Sequence, residues 1–336
     1  MTGPTVKLSL TSLLALQLIA CETGYPYWTI PVQFANTETV INRGGYYLTD
    51  VFASVDIETA ATEIRVTTYN TIYGSYPGLT RVGVYVDGAF LQEINPGESG
   101  ENSNTIYLSA GTKTVSFING PQSRPNINND PLGTFIVSLE ADAAMTQVGA
   151  DVSPSVLVYG DSIAVGDGAT TVMENAWIMQ VRAGMTVGAA AWGWRTLYED
   201  ASTTEKRAVF VQSIEDWGAS TIWLAIGTND YGLNKWTAAE FGAAYAQLID
   251  DIHTALPSVE IYCQSPLVRS SEAANGKGST LGDYRSQIST ACSTRAWANY
   301  IDGESILLVA DLADGVHPSS AGHTKYADYV SGVLGE

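Results

Sequence analysis

The chain has 336 residues, with 35 Asp and Glu against 16 Lys and Arg and a formal net charge of −19. So little positive charge argues against nucleic acid or an anionic membrane as a partner. Hydrophobic residues make up 45%, enough for a packed core and incompatible with wholesale disorder.

At the N-terminus, Lys7 precedes an apolar stretch from Leu8 to Ala20. It is too short to span a bilayer and has the length of a signal-peptide core. It ends in Leu18-Ile19-Ala20-Cys21, which is similar to the bacterial lipobox, where the Cys becomes the lipidated first residue. Residues 1–24 are therefore expected to be a leader, Cys21 the attachment point of a lipid anchor, and the protein secreted or held at the cell surface. The alternative is a first amphipathic segment packed on the body of the protein. Without Cys21, Cys263 and Cys292 remain as an even pair able to bridge in an oxidising compartment.

From residue 25 to 150 the chain reads as strands and turns. Val51–Ile57 and Glu63–Thr68 alternate in apolar and polar character, as half-buried strands do. Arg81–Val86 leads through Asp87-Gly88 into Ala89–Leu91, a hairpin signal, because both turn residues must tolerate positive φ. Thr105–Leu108 and Thr114–Ile118 flank Ala110-Gly111, and Gly133–Leu139 is a last strand. No helical period appears, so this part is expected to be a β-sandwich or jelly roll. The linker is expected in Ala141–Ser153, which is small, polar and Pro-containing.

Residues 151–336 change rhythm. Strand-like apolar runs at Val156–Tyr159, Thr186–Ala191, Thr221–Ile226, Glu260–Cys263 and Ile306–Val309 alternate with helical stretches. The helices are expected at Glu174–Arg182, Lys206–Trp217, Ala238–Ala255, Leu281–Trp297 and Ser320–Val333. This is the pattern of an α/β domain with a parallel sheet covered on both faces.

Three short pieces stand where strands end. Gly160-Asp161-Ser162 follows the first strand, Gly227-Thr228-Asn229-Asp230 the third, and Asp314-Gly315-Val316-His317 lies just before the last helix. Functional groups of parallel sheets gather at such carboxyl ends. A Ser hydroxyl is a poor nucleophile until a neighbouring base takes its proton. His317 is the natural base among three histidines, since His253 and His323 fall on helices, and Asp314 is close enough to orient it. Attack on an ester carbonyl needs preorganised donors for the oxyanion. Asn229 supplies a side-chain amide, and the backbone N–H groups of Ser162 and Gly193 complete the set. Gly188 is the second choice for Gly193, because it falls inside a strand. Each piece alone is ordinarily a turn; their order and placement carry the reading.

With those residues in view, residues 155–336 resemble the SGNH (GDSL-type) hydrolase family. The family's roles fall on Ser162, Gly193, Asn229 and His317, with Asp314 completing the triad; the Gly193 segment departs from the more usual Asn-containing block. The resemblance implies a flavodoxin-like three-layer sandwich of about five parallel strands and ester hydrolysis without metal or cofactor. The first domain resembles, more loosely, the jelly roll that precedes this domain in some carbohydrate esterases, through Val84–Gly88 and Leu108–Val115.

Trp192, Trp194, Tyr231 and Trp236 flank the site in sequence and are candidates to stack on sugar rings. The leading expectation is a serine esterase deacetylating carbohydrate. The alternatives are a lipase- or thioesterase-like hydrolase of longer acyl chains, and a non-catalytic carbohydrate-binding surface protein. No His-Glu-x-x-His or paired-Cys spacing suggests a metal. Gly166-Asp167-Gly168 begins like a dinucleotide fingerprint, but the third glycine is missing and no strand leads directly into it. Ala164 stands where a Gly-x-Ser-x-Gly elbow would need its second glycine.

Overall fold

The computed structural model describes residues 18–20, 26–30, 46–47, 54–70, 81–95, 100–120, 134–148, 154–182 and 184–335. Cys21, most of the expected leader, residues 51–53 and the expected domain boundary at 150 and 151 lie outside them.

The first part consists of antiparallel strands: β1 (Leu18–Ala20), β2 (Pro26–Ile30), β3 (Tyr46–Tyr47), β4 (Ser54–Thr59), β5 (Glu63–Asn70), β6 (Val82–Val86), β7 (Ala89–Ile94), β8 (Gly100–Tyr107), β9 (Lys113–Asn119), β10 (Thr134–Ala141) and β11 (Met145–Gln147). One sheet runs β1-β2-β10-β5-β8, with β3 beside β10, and the other runs β11-β4-β9-β6-β7. Ile64, Val66, Ile106, Ile136 and Leu139 of the first sheet share a core with Val55, Ile57, Val84, Val115 and Phe117 of the second. The alternation read in the sequence is thus the pleat of two facing sheets. Asp87 and Gly88 make the expected tight turn, with φ of 51° and 82°. The segment expected to be a linker is strand at its start: Ala141 closes β10, and β11 pairs with β4. Its short polar run hides an edge strand, which needs few apolar residues.

The second part is built on five parallel strands: β12 (Val156–Gly160), β13 (Val187–Ala191), β14 (Thr221–Ala225), β15 (Glu260–Gln264) and β16 (Ala298–Ile301), in the order β13-β12-β14-β15-β16. This is the flavodoxin-like order, and it puts a topological switch point at β12. The helices are α1 (Ser162–Val165), α2 (Val172–Asn175), α3 (Trp177–Arg182), α4 (Leu197–Ala201), α5 (Thr204–Trp217), α6 (Thr228–Gly232), α7 (Ala238–Ala255), α8 (Leu281–Ser293) and α9 (Ser320–Leu334). Residues of α5, α7 and α8 pack one face of the sheet, and residues of α1, α3 and α9 the other, giving three layers.

One strand is misplaced by the sequence reading. The fifth strand is β16, not Ile306–Val309, and α8 ends at Ser293 rather than Trp297. β16 is an edge strand whose residues alternate between half-buried and exposed before the buried Ile301, so its apolar signal is thin. Ile306 and Leu307 pack into the core from an irregular segment between two short 3-10 turns.

The two parts meet at α2. Met173 is fully buried, its N–H donates to Glu93 Oε2 at 3.2 Å, and the Tyr85 hydroxyl donates to its carbonyl. Ile118, Tyr85 and Phe90 of the β domain join the core on the α1, α3 and α9 face. Cys263 and Cys292 are free, buried thiols.

Candidate active site

Ser162 is the first residue of α1, directly after β12. Asp161 caps this helix by accepting the Ile163 N–H at 3.0 Å. Gly160 is required for the tight exit from the strand, because a Cβ there would lie 2.5 Å from the Ala164 Cβ. A residue so placed presents its hydroxyl above the carboxyl edge of the sheet.

His317 comes from the loop before α9. Its Nε2 lies 2.9 Å from Ser162 Oγ, and its Nδ1 lies 2.7 Å from Asp314 Oδ2. An ionised carboxylate only accepts, so Nδ1 carries the proton and Nε2 is free to receive the serine proton. Asp314 Oδ1 also accepts the N–H groups of Val316 and His317 at 2.9 and 2.8 Å. Burial pushes the Asp314 carboxyl up, but these bonds and the imidazole outweigh it and hold it at about 2.

Asn229 sits in α6, after β14. Its Nδ2 donates to the Arg195 carbonyl at 3.1 Å, which fixes the amide and leaves its second hydrogen. The next residue, Asp230, accepts the Leu197 and Tyr198 N–H groups at 2.8 and 3.0 Å and so ties α6 to the start of α4. Burial pushes the Asp230 carboxyl up to about 7 despite those bonds, and the Asp161 carboxyl up to about 6.

Gly193 lies in the loop after β13, and a Cβ added there meets open space. Gly188, the second choice, is a packing glycine: its Cβ would strike the Trp217 ring at 2.5 Å.

The four aromatic candidates separate. Trp194 is 65% exposed and holds a left-handed backbone with φ of 65°. Trp192 is half-buried and lies under the Arg195 guanidinium, 3.5 Å from the ring centroid. Trp236 is half-buried and meets Tyr198 edge-on at 5.0 Å. Tyr231 is not a surface residue: it is 7% exposed, and its hydroxyl donates to the Ala273 carbonyl at 2.7 Å. Proximity to Asn229 in sequence misled there, because the α6 turn points this ring into the core against Tyr284. His253 stacks on Trp297 at 4.0 Å.

Three nearby residues escaped the sequence reading as parts of the site: Asp167, Arg195 and Tyr198. Asp167 carried the one available signal, the Gly-Asp-Gly that resembled a nucleotide loop. Among the described residues no group of three His, Cys, Asp or Glu is arranged to hold a metal ion.

A profile of the GDSL-like lipase/acylhydrolase family matches residues 158–325, half of the chain, and spans every residue of this constellation. The chain belongs to the GDSL-like lipase/acylhydrolase family. Among curated proteins none matches the sequence. Solved structures share the whole two-part fold with this family member. One is a salicylyl-acyltransferase, SsfX3, from a tetracycline biosynthetic pathway (16% identity, 92% of this chain and 98% of that one, TM-score 0.69). Another is a carbohydrate esterase family 2 enzyme with a carbohydrate-binding domain from Corynascus thermopiles (17% identity, 91% and 100%, TM-score 0.64). A third is a family two carbohydrate esterase from Clostridium thermocellum in complex with cellohexaose (15% identity, 91% and 99%, TM-score 0.63).

Proposed function

We propose that this GDSL-family protein is a serine esterase that removes acetyl groups from carbohydrate through an acyl-Ser162 intermediate. The observation that carries the reading is the unbroken relay from Ser162 Oγ to His317 Nε2 to Asp314, at 2.9 and 2.7 Å. In this reading His317 takes the serine proton as Oγ attacks the ester carbonyl. The N–H groups of Ser162 and Gly193 and the Asn229 amide stabilise the oxyanion. The imidazolium then protonates the leaving alcohol, and water releases the acyl group by the reverse sequence. Asp314 holds the ring in the productive tautomer.

The acetyl-carbohydrate assignment is supported by the likeness in fold to carbohydrate esterases and by Trp194, an exposed aromatic face beside Gly193 suited to stacking on a sugar ring. An acetate-release screen over acetylated polysaccharides, with Ser162→Ala as control, tests both parts. Turnover retained in Ser162→Ala would remove the serine from its role. A series of aryl esters tests the acyl group: preference for two carbons supports the deacetylase, and preference for eight or more supports a lipase.

A further inference from the structure

The turn after α1 carries a carboxylate that the triad does not use. Asp167 Oδ2 lies 4.0 Å from His317 Nε2, the ring nitrogen that also meets Ser162 Oγ. The side chain is 32% exposed, and no donor among the described residues bonds its carboxylate. Its backbone, by contrast, is fixed. The Asp167 N–H donates to the Ser162 carbonyl at 3.0 Å, and its carbonyl accepts from His323 Nε2 at 3.1 Å. Burial holds His323 neutral, with a pKa of about 4, and its Nδ1 accepts the Trp177 N–H, so the Nε2 hydrogen is committed to Asp167. Gly166 and Gly168 flank the residue with φ of 95° and 94°. The turn therefore presents the carboxylate to the imidazole as a preset acceptor.

We propose that Asp167 positions the water that releases the acyl group and so favours hydrolysis over transfer to an alcohol. The proposal rests on the acyl-serine reading above. Two hydrogen bonds of about 2.8 Å span the 4.0 Å gap with an angle of about 90° at the shared oxygen, which suits the two hydrogens of one water. Such a water gives one hydrogen to Nε2 and the other to Asp167 Oδ2, leaving a lone pair for the acyl carbon. An alcohol has a single hydroxyl hydrogen. Once that is given to Nε2, its oxygen faces the carboxylate with lone pairs alone.

In the step itself, the water oxygen bonds to the acyl carbon while its Nε2-bound hydrogen passes to His317. The tetrahedral intermediate expels Ser162 Oγ, which takes that proton back, and the products are the carboxylic acid and free serine. Asp167 accepts a hydrogen bond throughout and takes no proton. The fold is shared by esterases and an acyltransferase, so it leaves the acceptor open. A carboxylate at this point supplies a reason for water.

Pre-steady-state kinetics on p-nitrophenyl acetate, with and without glycerol as acceptor, test the proposal. In Asp167→Ala, deacylation should slow about 10- to 100-fold. A burst of nitrophenol should appear, acetyl-Ser162 should be seen by intact mass, and the share of acetylglycerol should rise. Asp167→Asn, which keeps a neutral acceptor, should fall between the two. The native protein provides a reading without any substitution: it should hydrolyse more than it transfers even in concentrated glycerol. A native protein that passes most of its acetyl groups to glycerol would overturn the proposal, as would an unchanged burst and partition in both variants. Failure of the underlying reading looks different, since Ser162→Ala would then keep its turnover of p-nitrophenyl acetate, whatever the Asp167 variants do.

Discussion

Gly168 and Pro318 meet backbone to backbone: a Cβ on Gly168 would lie 2.3 Å from the Pro318 carbonyl oxygen and 3.0 Å from the His317 Cβ. The loop that carries His317 is thus seated on the turn that follows Ser162. Thr170 N–H reinforces the seat by donating to Ser320 Oγ at 2.9 Å. Gly168 also has a φ of 94°, which a residue with a Cβ adopts only under strain. Gly168→Ala should therefore lower kcat by at least about tenfold through displacement of the imidazole, and destabilise the protein by about 1–3 kcal/mol. Aryl-acetate kinetics alongside an unfolding midpoint check this; native kcat would mean that the His317 loop yields without consequence.

Asp314 is held by three hydrogen bonds, and its replacement by Asn changes which tautomer of His317 is favoured. Asp314→Asn should reduce kcat by about 10⁴-fold with little change in fold. The carboxyl stands at about 2 in the folded protein against an ordinary 3.8. A lowered pKa contributes stability above the unfolded value, and that contribution is lost as pH falls from about 4 towards 2. Down to about pH 3 the orienting carboxylate stays ionised, so activity lost between about pH 6 and pH 4 is not lost through Asp314. A pH profile of kcat/KM that is unchanged in shape between the native protein and Asp314→Asn over that range checks this, with the pH dependence of the unfolding midpoint as the control for stability.

Asp230 and Asp161 have the opposite sign. Burial raises their carboxyls to about 7 and about 6, so the folded state holds protons that the unfolded state has already released. Stability from these groups is present in acid and declines as pH rises from about 4 to 7, by at most about 1.4 kcal/mol per pH unit for each. Asp230→Asn should flatten that decline. It should also cost stability at low pH, because one amide oxygen replaces two acceptors for the Leu197 and Tyr198 N–H groups. Thermal midpoints measured at pH 5 and pH 8 in both proteins provide the check; parallel slopes would contradict it.

Trp194 combines wide exposure with a left-handed backbone, a conformation that costs energy for a bulky residue and is kept where the surroundings or function demand it. Trp194→Gly should relieve about 1–3 kcal/mol of backbone strain against the larger unfolded-state entropy of glycine, and so hold or raise the unfolding midpoint. The same variant should raise KM for an acetylated oligosaccharide by about tenfold through loss of the stacking face. A KM unmoved by the substitution would take Trp194 out of the sugar site.

The site was legible where chemistry constrains residue type. Ser162, Asn229, Asp314 and His317 each follow a strand or precede a helix, and the two-to-3.6 change of period locates those elements. The short helices α1, α4 and α6 were not legible, because four or five residues cannot display a helical period. The edge strand β16 was lost for a related reason, since it lacks a continuous apolar run. Aromatic roles were the least readable: Trp194 and Tyr231 look alike in sequence, and only the direction of each loop decides that one faces solvent and the other Tyr284. Asp167 was hidden between two glycines whose spacing pointed to a different chemistry.

Arg195 shows how much of the proposed oxyanion region depends on a residue with no motif of its own. Its side chain is buried, forms an ion pair with Asp200 at 2.8 Å, and lies 4.2 Å from the Tyr159 ring centroid and 3.5 Å from that of Trp192. The guanidinium also donates to the Ala190 carbonyl, and the Arg195 carbonyl receives the Asn229 amide. The loop bearing Gly193 is thus pinned at its base, and the side-chain donor is pinned to the same residue. Among the described residues, Arg195→Met leaves Asp200 with the Tyr159 hydroxyl as its remaining side-chain partner and should destabilise the protein by about 3–5 kcal/mol. Arg195→Lys keeps the charge but loses the planar stacking and the second donor, so it should recover only part of that stability. In both variants kcat should fall more than KM rises, because in the proposed mechanism the donors serve the transition state rather than the bound ester. Equal loss in both parameters would instead place Arg195 in substrate binding.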